Sequence, residues 1–190
     1  MNCAVTEPGI EGVGYGLAWS ADGGHLFYTR VDDAWRPHQV WRHEQGGDRE
    51  DTLVFQEDDE RYWMGLDTSR DETHIIIGLG TKNTSEYRIL PATDPRGEFR
   101  VVSPREEGVE YAVEVAGQDL WIVHNKHHRD SELAWAPLTS TSSADWRSVI
   151  PGQDGQRIVA VDAFATHLAV SLRRDALSQV RVLPLDPGSD

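Results

Sequence analysis

Residues 17–28 read Leu17-Ala18-Trp19, then Ser20-Ala21-Asp22-Gly23-Gly24, then His25-Leu26-Phe27-Tyr28. An apolar run, a turn rich in Asp and Gly, and a second apolar run spell a β-hairpin. Gly supplies the backbone conformations a tight turn needs, and Asp hydrogen-bonds its own turn. The unit recurs along the chain. Ile75-Ile76-Ile77 follows Trp63-Met64-Gly65-Leu66 and the turn Ser69-Arg70-Asp71. Leu120-Trp121-Ile122-Val123 follows Ala112-Val113-Glu114-Val115 and Gly117-Gln118-Asp119. Leu168-Ala169-Val170 follows Val159-Ala160-Val161 and Ala165-Thr166.

A third run comes after each hairpin: Gln39-Val40-Trp41-Arg42, Tyr87-Arg88-Ile89-Leu90, Leu133-Ala134-Trp135-Ala136 and Val180-Arg181-Val182-Leu183. In three cases a fourth follows: Leu53-Val54-Phe55, Phe99-Arg100-Val101-Val102 and Trp146-Arg147-Ser148-Val149-Ile150. The second runs begin at 26, 75, 120 and 168, so the unit repeats at steps of 49, 45 and 48 residues. Short strands with turn punctuation, four to a unit, at a period of about 40–50 residues predict an all-β chain of propeller blades. Blade packed on blade buries both faces of a second strand, which explains runs that are apolar at consecutive positions. The third runs mix Arg with Val and Trp because they lie nearer the rim. No 12-residue stretch carries a helical i, i+3, i+4 stripe.

The expected blades span about residues 16–56, 62–104 and 110–151, with a fourth, incomplete blade over about 157–186. Propellers close with about four to eight blades, and unpaired edges and bare blade faces invite aggregation. The reading is therefore a partial propeller of about four blades within one propeller domain, a section of a longer ring. The alternative is a four-blade ring whose last strand comes from residues 1–10, where Cys3-Ala4-Val5 makes a weak strand.

The 190 residues carry 18 Lys and Arg against 32 Asp and Glu, a net charge of −14. Nucleic-acid backbones and anionic membrane surfaces demand clustered cations, so neither is an expected partner. Cys3 is the single cysteine, which leaves no internal disulfide and no thiolate zinc site and fits a reducing compartment. Glu7, Pro8 and Glu11 interrupt the first fifteen residues, which hold no apolar leader. The longest apolar runs are far short of the ~20 residues of a membrane helix. The expected location is the cytoplasm.

At this level of detail the chain resembles the propeller of the prolyl oligopeptidase family. Leu17-Ala18-Trp19-Ser20-Ala21-Asp22 with Leu26-Phe27-Tyr28-Thr29-Arg30 carries the resemblance. Gln39-Val40-Trp41-Arg42-His43 is similar to the oligopeptidase B branch of that family. So are Thr84-Ser85-Glu86-Tyr87-Arg88-Ile89-Leu90, Pro104-Arg105-Glu106-Glu107-Gly108-Val109-Glu110-Tyr111, and Asp145-Trp146-Arg147 leading to Ile150-Pro151. The match covers about residues 14–186, in order. The resemblance implies a cytoplasmic serine endopeptidase in which a seven-bladed propeller caps an α/β-hydrolase catalytic domain. That domain holds a Ser-Asp-His triad and cuts short peptides after Arg or Lys, while the propeller filters substrates by size. The partners it implies are the hydrolase domain and short basic peptides. This sequence departs from the family decisively: none of its serines sits in the Gly-x-Ser-x-Gly of a nucleophile elbow. No catalytic residue is carried over, and no peptidase activity is expected of the chain alone. A stand-alone module binding cationic peptides or proteins is the alternative, and a truncated remnant is a third.

The candidate sites are few. His124-Asn125-Lys126-His127-His128 is the densest set of potential ligands, but zinc needs three or four converging groups with outer support. With Asn125, Lys126 and Arg129 the stretch reads as a charged turn, so no metal is expected. Glu57-Asp58-Asp59-Glu60 could attract cationic peptides. It reads more simply as a solvated loop between blades, as do Glu106, Glu107 and Glu110. Trp35, Trp41 and Trp135 read as packing residues rather than sugar-stacking platforms. Gly12, Gly14 and Gly16 precede a strand, so they form no phosphate loop. No cofactor is expected.

Overall fold

The computed structural model describes residues 9–47 and 50–185. Among these residues, fifteen strands form four antiparallel sheets in chain order. The first sheet holds β1 (Val13–Trp19), β2 (His25–Val31), β3 (Pro37–Glu44) and β4 (Thr52–Gln56). The second holds β5 (Trp63–Thr68), β6 (His74–Gly80), β7 (Ser85–Pro91) and β8 (Arg100–Ser103). The third holds β9 (Tyr111–Ala116), β10 (Asp119–His124), β11 (Glu132–Pro137) and β12 (Arg147–Ile150). The fourth has three described strands, β13 (Gln156–Ala163), β14 (His167–Arg174) and β15 (Leu177–Pro184). Neighbours in sequence are neighbours in each sheet, because each turn is too short to let the chain do anything but fold back. The four-blade closure through residues 1–10 falls mainly on residues 1–8, which lie outside the described residues.

The register decides what is buried. Side chains alternate across a strand, and in β6 Ile75 and Ile77 enter a core shared with the first sheet, beside Phe27, Val40, Met64 and Leu66. Ile76 points the other way, into a core with Val102, Val113, Val115, Leu120 and Ile122. In β10 the split repeats: Leu120 and Ile122 face the second sheet, while Trp121 and Val123 join Ile158, Leu168 and Val170 of the fourth. Three cores thus glue four sheets. At roughly 1.5–3 kcal/mol for each large aliphatic side chain fully buried, these cores dominate the stability.

Two details differ from the sequence reading. In β14 burial alternates, because Ala169 and Ser171 face a side that no described sheet covers. Phe99 and Trp146 lie just outside the fourth strands, and both turn inward. Phe99 meets Phe27 edge-on at 6.0 Å, and Trp146 lies tilted against Tyr111 at 5.2 Å. A 3₁₀ turn, Ser143–Asp145, precedes β12 and is capped by the Ser142 hydroxyl, which accepts from the Ala144 N–H at 3.2 Å. Gly16 sits where β1 shifts register. Its φ is +99°, and a Cβ there would lie 2.7 Å from the Leu66 carbonyl of the next sheet. Only glycine lets these two first strands approach so closely. No helix among the described residues is long and apolar enough to cross a membrane.

Candidate functional site

In an antiparallel four-strand unit, the turn between second and third strands and the crossing to the next unit emerge at the same edge. The acidic run 57–60, Glu106, Glu107, Glu110 and the histidine segment therefore share one edge of the molecule.

Glu57 corrects the expectation of a solvated loop. It is buried, and its carboxylate meets Arg105 at 2.7 Å. Arg105 also reaches Glu86 at 3.2 Å and lies 4.0 Å over the Tyr62 ring. Glu86, equally buried, is held again by Arg88 at 2.9 Å. Burial alone raises the Glu86 carboxyl, but the two guanidiniums overcome it and leave it below the ordinary Glu range. Buried Arg36 donates to Asp32 at 2.9 Å and to the Tyr62 carbonyl at 3.2 Å, so it ties down the crossing from outside the run. Asp59 is gripped by Arg61 at 2.7 Å, which lowers it to about 2. Only Asp58 and Glu60 of the run are exposed. The run is thus half consumed in structural ion pairs. At the next crossing Glu106 pairs with Lys126, and Asn125 accepts from the Glu110 N–H at 2.8 Å.

The histidine segment is a turn, as expected, and something more. His124 ends β10 and Glu132 begins β11, and the two are cross-strand partners. His124 Nε2 lies 3.4 Å from Glu132 Oε1. The turn brings His127 Nδ1 to 2.6 Å from the same oxygen. The other oxygen, Oε2, accepts from Ser148 Oγ at 3.2 Å. His124 is buried against the Trp146 ring, 4.7 Å between centroids, and that burial pushes its imidazole down to about 4. His128 turns away, accepting from the Asp130 N–H at 3.2 Å and facing Asp154 at 3.6 Å. The sequence reading missed Glu132. Its signal was the pairing of the last residue before the turn with the first after it.

The opposite edge carries the first-to-second-strand turns. Arg70 there meets Asp162 and lies 4.8 Å over Phe164. These flank a cavity of about 500 Å³ lined also by Asp71, Gln118 and Leu185. Trp41 and Trp135 pack as expected, under Arg30 at 4.4 Å and Arg147 at 5.4 Å. Trp35 does not: it stands 78% exposed on the β2–β3 turn, at φ +63°.

Four-stranded antiparallel units that follow one another in the chain, each sharing a core with the next, are blades of a β-propeller. The chain belongs to the prolyl oligopeptidase N-terminal β-propeller family, whose sequence model matches residues 5–190. It is 34% identical over 178 residues to the dipeptidyl aminopeptidase BI of Pseudoxanthomonas mexicana, covering 92% of this chain and 24% of that protein. It is 30% identical over 168 residues to protease 2 of Moraxella lacunata, covering 88% and 24%. The solved oligopeptidase B of Trypanosoma brucei, in a closed form with covalently bound antipain, matches with a TM-score of 0.85 at 29% identity, over 94% of this chain and 26% of that one. The chain spans about a quarter of the length of these relatives.

Proposed function

We propose that this chain is the substrate-gating propeller part of an oligopeptidase B-like serine endopeptidase that cleaves short peptides after Arg or Lys in the cytoplasm. The observation that carries this reading is its match to the propeller model of the family, across about a quarter of the length of relatives that are peptidases. The chemistry then belongs to an α/β-hydrolase domain: serine attack, a histidine base and an oxyanion hole. The propeller's contribution is steric, since a ring of rigid sheets admits extended peptides and refuses folded ones. The bare apolar faces of β1 and β15, with Leu17 and Val180 exposed, are suited to receive further blades. A preference for basic peptides is supported by the charge of −14 and by exposed Asp58, Glu60 and Glu107 on one edge. The single cysteine is compatible with a reducing compartment.

The test compares the 190-residue chain with the longest polypeptide its gene produces, using a fluorogenic peptide with Arg before the scissile bond. Turnover by the longer product alone is expected, and turnover by the short chain overturns the reading. The same exposed carboxylates favour a second reading, a module that binds cationic peptides without cutting them. An endogenous product near 21.3 kDa, soluble and with a cooperative melt, selects that reading. Such a product that does not fold is a remnant.

A further inference from the structure

We propose that His124, His127 and Glu132 form a binding site for a divalent transition-metal ion of the zinc type. Each residue brings one donor atom, all within 4.8 Å of one another. Zinc bonds of about 2.0–2.1 Å in tetrahedral geometry set neighbouring donors about 3.3 Å apart. His124 Nε2 and Glu132 Oε1 stand 3.4 Å apart, at that spacing already. His127 Nδ1, at 2.6 Å from the same oxygen, is too close to it, and it stands within 4.8 Å of the His124 donor, so its ring has to swing from the carboxylate toward His124. It can, because its side chain is 62% exposed on a turn, whereas His124 and Glu132 are fixed in paired strands.

The surroundings are those of a supported site. The free oxygen of Glu132 accepts from Ser148 Oγ at 3.2 Å, which orients the carboxylate. The Trp146 ring, 4.7 Å away, holds the His124 plane. The exposed side of His127 leaves room for water as fourth ligand, the arrangement of three protein ligands and one open position. One local bond opposes the assignment: His124 Nδ1 accepts from the Lys126 N–H at 3.3 Å. Metal at Nε2 moves the imidazole proton to Nδ1 and forfeits that bond, which is long for its kind. Two imidazoles and one carboxylate select zinc, cobalt or nickel over magnesium and calcium, which take oxygen donors. His128 is excluded because its ring is engaged with Asp130 and Asp154.

The test strips metal from the purified protein, both this chain and the longest polypeptide that carries it, and titrates zinc against a chromogenic chelator. One equivalent is expected. His127→Ala, on the surface and away from every core, is expected to weaken binding by on the order of tenfold or more, and Ser148→Ala by about tenfold. His128→Ala leaves it unchanged, Co²⁺ gives the intense visible bands of four-coordinate geometry, and Mg²⁺ does not compete. Zinc uptake no greater than that of His127→Ala, or an equal loss in His128→Ala, overturns the site. Circular dichroism of His127→Ala shows that any loss is not loss of fold.

Discussion

Arg70, in the turn after β5, donates to Asp162 of β13 at 2.5 Å and so joins the second sheet to the fourth past the third. Its own N–H donates to Glu114 of β9 at 3.0 Å. One residue therefore touches three successive blades at their turn edge. Both charged partners are partly exposed, so water and salt screen the pair. A double-mutant cycle of Arg70→Ala and Asp162→Ala by urea denaturation is expected to return a small favourable coupling that shrinks as salt is added. A coupling indistinguishable from zero at low salt removes the link.

Arg105 matters more, because the carboxylates it serves are buried. Arg105→Ala leaves Glu57 without its ion-pair partner and Glu86 with Arg88 alone. The expected cost is about 2–3 kcal/mol, below the usual range for breaking a buried pair because Arg105 itself is partly solvated. Arg105→Lys keeps the charge but not the fork that reaches two carboxylates, so it recovers only part of the loss. Recovery of the whole by lysine, read from denaturation midpoints, removes the bidentate role.

Glu86 gives the fold an acid dependence whose sign follows from its environment. Its folded carboxyl titrates below the ordinary value, so as pH falls the unfolded chain takes up the proton first. The stability it contributes is present above about pH 4.3 and is lost as pH drops through the folded value. Glu86→Gln, which cannot titrate, is expected to be less stable at neutral pH and to lose less stability than the parent on acidification. Denaturation curves from pH 7 to pH 3 that run parallel for the two proteins contradict this.

Ile77 and Val182 separate the glued faces from the bare one. Ile77→Ala empties part of the core between the first two sheets, and about 2–5 kcal/mol is expected. Val182, 64% exposed on β15, tolerates Lys within about 0.5 kcal/mol in this chain. In the longest polypeptide carrying the chain, Val182→Lys instead places a charge in an apolar interface if a further blade lies there, and a midpoint drop is expected. An unchanged midpoint in both proteins argues against a covering blade.

Much of this was legible in the residues. Ile75-Ile76-Ile77 and Leu120-Trp121-Ile122-Val123 announced strands buried on both faces, and Asp22-Gly23-Gly24 announced the turn. Leu168-Ala169-Val170 looked alike and is not, because burial belongs to the neighbour and no described sheet covers Ala169. Glu57 read as solvated because a run of carboxylates hides its partner, Arg105, 48 residues away. The histidine turn was visible, but Glu132 became its third member only through strand register. Arg70 gave no signal, since nothing local marks a bond that spans 92 residues.

Each core is shared by two adjacent sheets and no more, so the molecule behaves as a short stack whose members are secured by unequal numbers of neighbours. The second and third sheets are clamped on both sides, and the first and fourth on one. Local opening then has a direction: backbone amides of β13 to β15 exchange with solvent ahead of those of β9 to β11, and unfolding peels inward from the outer sheets.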